Sequence, residues 1–185
     1  MLPKLHVFNQ VTLDGYFTGP NGDLSWAHKQ DPEWDKFVAG NAQGGGTLLF
    51  GRVTYEMMVA FWPTPEAAKA FPAVADGMNK AQKVVFSRTM DKVSWQNTRL
   101  VKDGMAAEVR KMKGQPGKDM TILGSGKIIS QLASEGLIDE YSIVVNPIAL
   151  GKGRTMFEGV KAPVNLKRTS TREFKNGNIL TVYSA

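Results

Sequence analysis

The sequence predicts an α/β protein with a mostly parallel central sheet, helices on both faces and an antiparallel hairpin at the C-terminal end. Short apolar runs alternate with segments whose apolar residues recur every three or four positions. Glycine-containing turns follow several of these runs. Near the end of the chain, Asn176-Gly177 separates two apolar stretches, which favours a two-residue hairpin turn. We expect the 185 residues to form one domain, residues 1–185.

The first third of the chain predicts strand, loop, helix and strand. "KLHVFNQVTL" is apolar enough for a buried first strand, and "DGYFTGPNGDLSW" has the Gly, Pro and Asn content of a loop. Asp31 and Pro32 are a helix N-cap and first helical residue. "GGGTLLFGR" predicts a loop, a short buried strand and a turn. A second helix is expected from Thr54 to about Phe61, and Thr64-Pro65-Glu66 is another helix start that Pro72 should interrupt.

The remainder continues the alternation. "KVVFSRT", "TRLV" and "GKDMTILG" predict strands, with a helix in "DGMAAEVRKMK". "SGKIISQLASEG" predicts a helix ended by Gly136, and "EYSIVVNPIAL" predicts the next strand.

Composition excludes several classes of function. The chain has no cysteine, which excludes disulfides and a zinc deaminase site, and is consistent with the cytoplasm. His6 and His28 are isolated, so we expect no metal site. The first residues, "MLPKLHVFNQ", lack the long apolar core and small-residue cleavage site of a signal peptide, so we expect none. No apolar run approaches the roughly 18 residues of a membrane span. The net charge of +6 favours an anionic partner, but no compact basic block with interleaved aromatics indicates nucleic acid.

Three turns combine glycine or hydroxyl groups with a basic side chain after a predicted strand. They are Gly51-Arg52-Val53-Thr54, Ser87-Arg88-Thr89 and Gly124-Ser125-Gly126-Lys127. In parallel sheets ligands bind at the carboxyl ends of strands, where helix N-termini present free N–H groups to anions. The last turn is neither a P-loop nor a GxGxxG motif. A plain strand-to-helix turn with Ser125 as N-cap is the alternative.

The ordered segments "FGRVTYE", "VVFSRT", "ILGSGKII" and "GKGRTMF" resemble the dihydrofolate reductase superfamily. Residues 124–157 are similar to the reductase (C-terminal) domain of riboflavin-biosynthesis bifunctional deaminase-reductases. "VTLDGYFTGPNGDLSW" fits stand-alone proteins of that group. The resemblance implies a three-layer dihydrofolate reductase-like fold, NADPH as cofactor, and a homodimer that pairs through strands near the C-terminus.

The resemblance also implies positions for the cofactor. It places Gly51, Arg52, Val53 and Thr54 at the cofactor phosphates, and Ser87 and Arg88 at the adenosine 2′-phosphate. It places a third group at the pyrophosphate and nicotinamide: Gly124, Ser125, Gly126, Lys127 and Ile128. The later turn Gly151-Lys152-Gly153-Arg154 is expected to shape a connecting loop.

For the substrate we predict a ring site beside the first strand, the loop 14–26, the helix from Asp31, and Phe61-Trp62. The predicted substrate-binding residues are Asn9, Trp26, Phe61 and Trp62; the aromatic ones are alternatively ordinary core. The glycine-rich loop is a candidate mobile lid.

Reduction of a C=N bond needs a proton donor. Asp31, Glu33 and Asp35 compete for this role, and Asp35 is the predicted catalytic residue because Asp31 is the expected cap. The alternative is that all three only complement the helix dipole.

The threonine that folate reductases pair with their carboxylate is replaced by Val145, which favours a pteridine, flavin-related or pyrimidine substrate over folate. The expected function is therefore NADPH-dependent reduction of a small nitrogen heterocycle. A non-catalytic NADP(H)-binding protein, a true dihydrofolate reductase and, from net charge alone, a nucleic-acid-binding domain are the alternatives.

Overall fold

The computed structural model describes residues 1–27 and 31–185. Within these residues the main sheet is built from β1 (Leu5–Thr12), β3 (Thr47–Gly51), β4 (Gln82–Phe86), β5 (Thr98–Val101), β6 (Met120–Leu123), β7 (Glu140–Asn146), β9 (Lys167–Glu173) and β10 (Ile179–Ser184). Their order across the sheet is β5-β4-β3-β6-β1-β7-β10-β9. A smaller sheet pairs β2 (Tyr16–Thr18) with β8 (Arg154–Thr155).

The helices are α1 (Pro32–Gln43), α2 (Arg52–Phe61), α3 (Pro65–Ala70), α4 (Pro72–Lys80), α5 (Met105–Lys113) and α6 (Gly126–Ser134). Short 3₁₀ turns occupy Pro20–Gly22 and Ser25–Ala27. Among the described residues no helix is long and apolar enough to cross a membrane.

The pairing of the strands confirms the predicted architecture. The six strands from β5 to β7 are parallel, whereas β10 runs antiparallel to both β7 and β9. The C-terminal hairpin therefore extends an otherwise parallel sheet.

Helices cover both faces of the sheet, as predicted. On one face, α5 and α6 pack against residues such as Leu5, Leu49 and Ile122. On the other, α2 and α4 pack on Phe50 and Val85, while α1 packs on Val144 and Leu180. Neighbours such as Leu49 and Phe50 enter opposite cores because side chains alternate along a strand. Connections between parallel strands are right-handed. A connecting helix therefore lies on one face when the next strand is added on one side, and on the other face when it is added on the opposite side.

One local prediction is confirmed and one needs correction. The helix that begins at Pro65 ends at Ala70, before Pro72 as predicted, and Pro72 begins a new helix, α4, because proline is favoured in the first turn. The hairpin between β9 and β10 has a connection of residues 174–178, longer than the two-residue turn that Asn176-Gly177 indicated. The Phe174 amide still donates to the Asn178 carbonyl at 2.9 Å, and Gly177 takes a positive φ of 88° within the turn. The Phe174 ring packs edge-on against Trp34, at 5.1 Å between ring centroids.

Candidate functional site

The parallel strands bring the predicted turns to one edge of the sheet. β3, β4 and β6 end at Gly51, Phe86 and Leu123, and β3 lies between the other two. The turns that follow them are therefore neighbours. β1 pairs with β6 as far as Phe8 and Leu123, where β6 ends, and continues along β7 to Thr12. The Gly124 turn therefore leaves the sheet next to Asn9 of β1.

Asn9 holds the Gly124 turn from the end of β1. The Gly124 amide donates to Asn9 Oδ1 at 2.7 Å, and Asn9 Nδ2 donates to the Gly124 carbonyl at 3.0 Å. Asn9 is only 6% exposed. Both ends of its carboxamide are thus committed to the backbone of the turn, although the sequence suggested it as a substrate contact.

Thr54 and Ser125 join the Gly124 turn to the start of α2. The Ser125 amide donates to Thr54 Oγ1 at 3.1 Å, and Ser125 Oγ accepts from the Gly51 amide at 3.0 Å. Gly124 and Ser125 both have φ of 57°. We call these contacts between the Gly124 turn and the start of α2 the interlock. A Cβ on Gly124 would lie 2.9 Å from Thr54 Oγ1, so the interlock requires glycine there. Ser125 occupies the N-cap position of α6, but its side chain makes no capping hydrogen bond, and Oγ instead donates to the Leu123 carbonyl at 2.9 Å.

The starts of α2 and α6 form an electropositive pair. Neither N-terminus has a side-chain cap. The first amides of a helix have no intrahelical partner, and its N-terminal end carries partial positive charge. Lys127 and Val53 are exposed at these ends, and Ile128 packs beneath, against Gly51. The paired ends can bind an anionic group such as a phosphate.

A surface groove of about 620 Å³ extends from α2 past the end of β4, lined by Arg52, Glu56, Thr89, Met90, Asp91 and Lys92. Arg52 pairs with Glu56 at 3.0 Å. Arg88, whose side chain is 83% exposed, pairs with Asp103 at 3.2 Å. Exposed pairs of this kind are weak, so both guanidinium groups can exchange partners for a phosphate. Ser87 Oγ accepts from the amides of Thr89 and Met90 and so shapes the turn.

The loop after β1 is fastened to the Gly151 turn by Asp14. Its carboxylate accepts from the Thr12 hydroxyl at 2.6 Å and from the amides of Gly151 at 2.7 Å and Leu150 at 3.0 Å. The Thr12 and Gly151 hydrogen bonds lower the Asp14 pKa below its usual 3.8. Pairing of β2 with β8 continues this attachment.

The loop also reaches the glycine turn. The Phe17 ring lies 2.9 Å from where a Gly126 Cβ would stand. A Cβ on Gly153 would overlap the Thr18 carbonyl oxygen. Glycine at this position therefore lets the Gly-Lys-Gly-Arg turn pack directly against the loop. The second glycine turn thus shapes a connecting loop, as expected, and holds the candidate lid against the start of α6.

The predicted aromatic residues do not gather at this edge. Trp26 is buried and donates its indole N–H to the Asp23 carbonyl at 3.1 Å. Phe61 and Trp62 follow at the end of α2, roughly 15 Å along the helix from Gly51. The Trp62 carbonyl accepts from Asn79, just before β4 begins, at the amino edge of the sheet. The structure does not bring Phe61 and Trp62 beside the glycine turns.

The three acids at the start of α1 have different environments. Asp31 is buried and accepts from the amides of Glu33 at 2.8 Å and Trp34 at 3.0 Å, which confirms it as the N-cap. Glu33 pairs with Arg172 at 2.8 Å. The Asp35 side chain is exposed and has no hydrogen bond or ion pair with another described residue.

Sequence reasoning missed two polar residues near this edge. Asn146, at the end of β7, and Asn178, just before β10, are both fully buried. The one available signal was an asparagine that follows the apolar run "SIVV". Val145, which we expect at the position of the folate reductases' threonine, is half-buried and precedes Asn146 in β7.

Histidine lies outside the candidate site. His6 contacts Asp119 and Glu140 near the start of β1, and His28 lies outside the described residues. The described residues include no cluster of three or more His, Cys, Asp or Glu that could hold a metal ion.

Comparison with known proteins places these features in a family. Residues 3–180 match the model of the RibD C-terminal domain. YyaP of Bacillus subtilis (strain 168) is 32% identical over 173 residues, which cover 94% of this chain and 90% of YyaP.

Two solved structures share the fold. A Shewanella sp. PV-4 protein named for riboflavin biosynthesis has a TM-score of 0.74 at 23% identity, with 98% of each chain covered. Dihydrofolate reductase from Enterococcus faecalis, complexed with NADP(H), has a TM-score of 0.68 at 15% identity, with 100% of this chain and 97% of that chain covered. The fold is therefore dihydrofolate reductase-like, as the resemblance implied.

Proposed function

The chain belongs to the family of the RibD C-terminal domain, and from this relation we propose that it is an NADPH-dependent reductase of a small nitrogen heterocycle. The family and the fold neighbours support a reductase of the riboflavin-biosynthesis type. The choice of NADPH and of a pteridine, flavin-related or pyrimidine substrate is our proposal.

The observation that carries the proposal is the interlock of two helix starts. Thr54 and Ser125 tie the N-terminus of α2 to that of α6, and neither helix has a side-chain cap. This interlock aims two sets of N–H groups at one edge of the sheet, where Lys127 adds positive charge. The residues present therefore fit the phosphates of a dinucleotide.

In this proposal each turn binds one part of the cofactor. The amides of residues 52–54, 126 and 127 and the Arg52 guanidinium would hold the phosphate groups, while Ser87 and Arg88 would recognise the 2′-phosphate. Asn9 keeps Gly124 in place beneath the nicotinamide side. When bound, NADPH supplies a hydride to the substrate ring. The backbone of the turn contributes position, which is the main requirement of such a transfer.

The remaining groups prepare the substrate. The loop that Asp14 fastens lies against the start of α6 through Phe17. Asp31 is committed to the cap and Glu33 to Arg172, so among these three acids Asp35 is the uncommitted carboxylate. We assign proton delivery to Asp35. Because no described residue fixes its carboxylate, a non-catalytic NADP(H)-binding protein is the second candidate.

Substitution of Arg88 by alanine tests the cofactor assignment. We expect Arg88→Ala to weaken NADPH binding by about tenfold or more and to leave NADH nearly unchanged, because the guanidinium binds the additional phosphate. Fluorescence titration with both nucleotides measures this difference. Arg99→Ala is the control, since Arg99 pairs with Glu108 on the surface outside the groove. Equal losses for NADPH and NADH would remove Arg88 from this role.

Turnover distinguishes the two candidate functions. A reductase oxidises NADPH, seen as loss of its absorbance, when a pterin, flavin or pyrimidine substrate is added. Nucleotide binding without turnover across that panel would favour the binding protein.

A further inference from the structure

Three carboxamide side chains form a row near the proposed cofactor site at the starts of α2 and α6: Gln10, Asn146 and Asn178. β1 and β7 pair Gln10 with Val144 and Thr12 with Asn146. β10 pairs Ile179 with Val145, so the residue before Ile179 lies next to Asn146. Because side chains alternate between the two faces along a strand, all three lie on the same face of the sheet as Val144 and Leu180, which pack against α1. We call this set the amide row.

The amide row has unused hydrogen-bonding groups. Asn146 and Asn178 are each 0% exposed. Asn146 Oδ1 and both polar side-chain atoms of Asn178 have no hydrogen-bond partner among the described residues. Native proteins pair nearly all buried polar groups, because burial without a partner is unfavourable. Asn9, one strand position before Gln10, is also buried, at 6% exposed, but has both ends of its carboxamide bonded.

Asn146 sets the orientation of Gln10. Asn146 Nδ2 donates to Gln10 Oε1 at 3.2 Å, and the nearby carbonyls of Val11 and Val144 identify which end of Asn146 is the NH₂ group. Gln10 Oε1 is therefore occupied, and its Nε2 has no partner among the described residues. Gln10 is half-buried and is the member of the row that a ligand in the cleft can touch. It presents a hydrogen-bond donor.

We propose that Gln10 is a specificity-determining residue of the substrate site and that Asn146 is its positioning residue. Gln10 Nε2 binds a carbonyl oxygen on the edge of the substrate ring, because this amide nitrogen is a hydrogen-bond donor and Asn146 holds the other end of the carboxamide. An edge of two amino groups instead suits a carboxylate, which only accepts. The inference rests on the proposed function, since it assumes a heterocycle at this edge.

The location suits hydride transfer. Asn9 and Gln10 are successive residues of β1, and their side chains leave opposite faces of the strand. Asn9 holds the Gly124 turn, whereas Gln10 belongs to the amide row. A ring bound by the amide row thus lies across the end of one strand from the proposed nicotinamide side.

Calorimetric titration of the full chain with two bicyclic probes tests the proposal. The probes are pteridine-2,4-dione and 2,4-diaminopteridine, which share shape and differ in the recognised edge. We expect the wild type to bind the dione about tenfold tighter or more, because unmatched polar groups are left unpaired with the diamine. Gln10→Glu should invert this preference, since the isosteric carboxylate replaces a donor by an acceptor. Gln96→Glu, the same change at an exposed amino-edge residue, should preserve it.

The proposal about Gln10 is overturned if the wild type prefers the diamine, binds neither probe, or keeps its preference in Gln10→Glu. Titration with NADPH alone keeps this result distinct from the proposed function. If NADPH binds but the probes show no such preference, the amide row fails and the reductase assignment stands. If NADPH does not bind, the reductase assignment fails, while the probe titrations still decide the amide row.

Discussion

Lys83 shows how a single charged residue can be built into the core. Its side chain is 1% exposed, and Nζ donates to the carbonyls of Met78 at 2.8 Å and Ala81 at 2.6 Å. Nζ also lies 4.4 Å from the centre of the Trp95 ring. The ammonium thus satisfies carbonyls at the C-terminal end of α4, where cations are favoured. Burial lowers its pKa from 10.5 to about 8.

The lowered pKa of Lys83 predicts a pH-dependent stability. Between pH 8 and 10.5 the unfolded chain keeps a proton that the folded chain has lost, so the free energy of unfolding rises with pH in this window. Lys83→Met should lack this rise. Urea unfolding at pH 7.5, 9 and 10 measures it as the difference between wild type and variant. Lys80→Met, an exposed neighbour, should follow the wild type. Parallel pH curves for wild type and Lys83→Met would contradict the prediction.

At the scale of elements, the connection from β6 to α6 determines the geometry of the site. Gly124 and Ser125 turn the chain through left-handed conformations, and contacts from β1 and α2 hold them there. Gly136 ends the same helix, also with a positive φ of 63°, but a Cβ there would meet nothing within 4 Å. Both glycines therefore have a positive φ that disfavours other residues, but only Gly124 has neighbouring atoms that a Cβ would meet.

Alanine at these two glycines distinguishes the site turn from an ordinary helix end. Gly136→Ala should lose about 1–2 kcal/mol of stability, because a Cβ disfavours the left-handed conformation, and Gly124→Ala should lose more, because its Cβ would also lie 2.9 Å from Thr54 Oγ1. Gly124→Ala should also weaken NADPH binding by about tenfold or more, since its Cβ displaces Thr54 and shifts the amides. Urea unfolding and fluorescence titration measure the two effects. If Gly124→Ala binds NADPH as Gly136→Ala does, the interlock is not part of the cofactor site.

At the scale of the whole molecule, the sheet order brings separate segments of sequence to one binding edge. The turns after β3, β4 and β6 come from residues 51–54, 87–89 and 124–127, and the strands that carry them are neighbours. A cofactor that contacts all three turns binds only the folded chain. Its binding energy therefore adds to the stability of the entire sheet.

NADPH should raise the melting temperature. At about 100 times the Kd, binding adds roughly 2.7 kcal/mol, which corresponds to about 5–10 °C for a chain of this length. Differential scanning fluorimetry across an NADPH series measures the shift. NADH should need a higher concentration for the same effect, and Arg88→Ala should remove that difference. An unchanged melting temperature at millimolar NADPH would exclude the cofactor.

The sequence alone determined the elements whose signals are local. Alternating apolar runs and helical periodicity predicted the parallel sheet and both helix layers, and Asp31-Pro32 and Gly136 identified helix ends. These signals act between residues close in the chain, so they can be recognised without knowledge of the fold. The turns at Gly51, Ser87 and Gly124 were also predicted to meet, because parallel strands end at one edge.

Only the tertiary structure decided which side chains meet. Asn9 bonds Gly124, 115 residues away, and Ser125 bonds Gly51, 74 residues away. The same applies to Phe174, whose ring packs on Trp34 of α1, and to Trp62, whose carbonyl accepts from Asn79 at the amino edge. The amide row likewise exists only through the register of β1, β7 and β10. Such partners depend on strand order and register, to which residues far apart in the chain contribute jointly, so no local pattern encodes them.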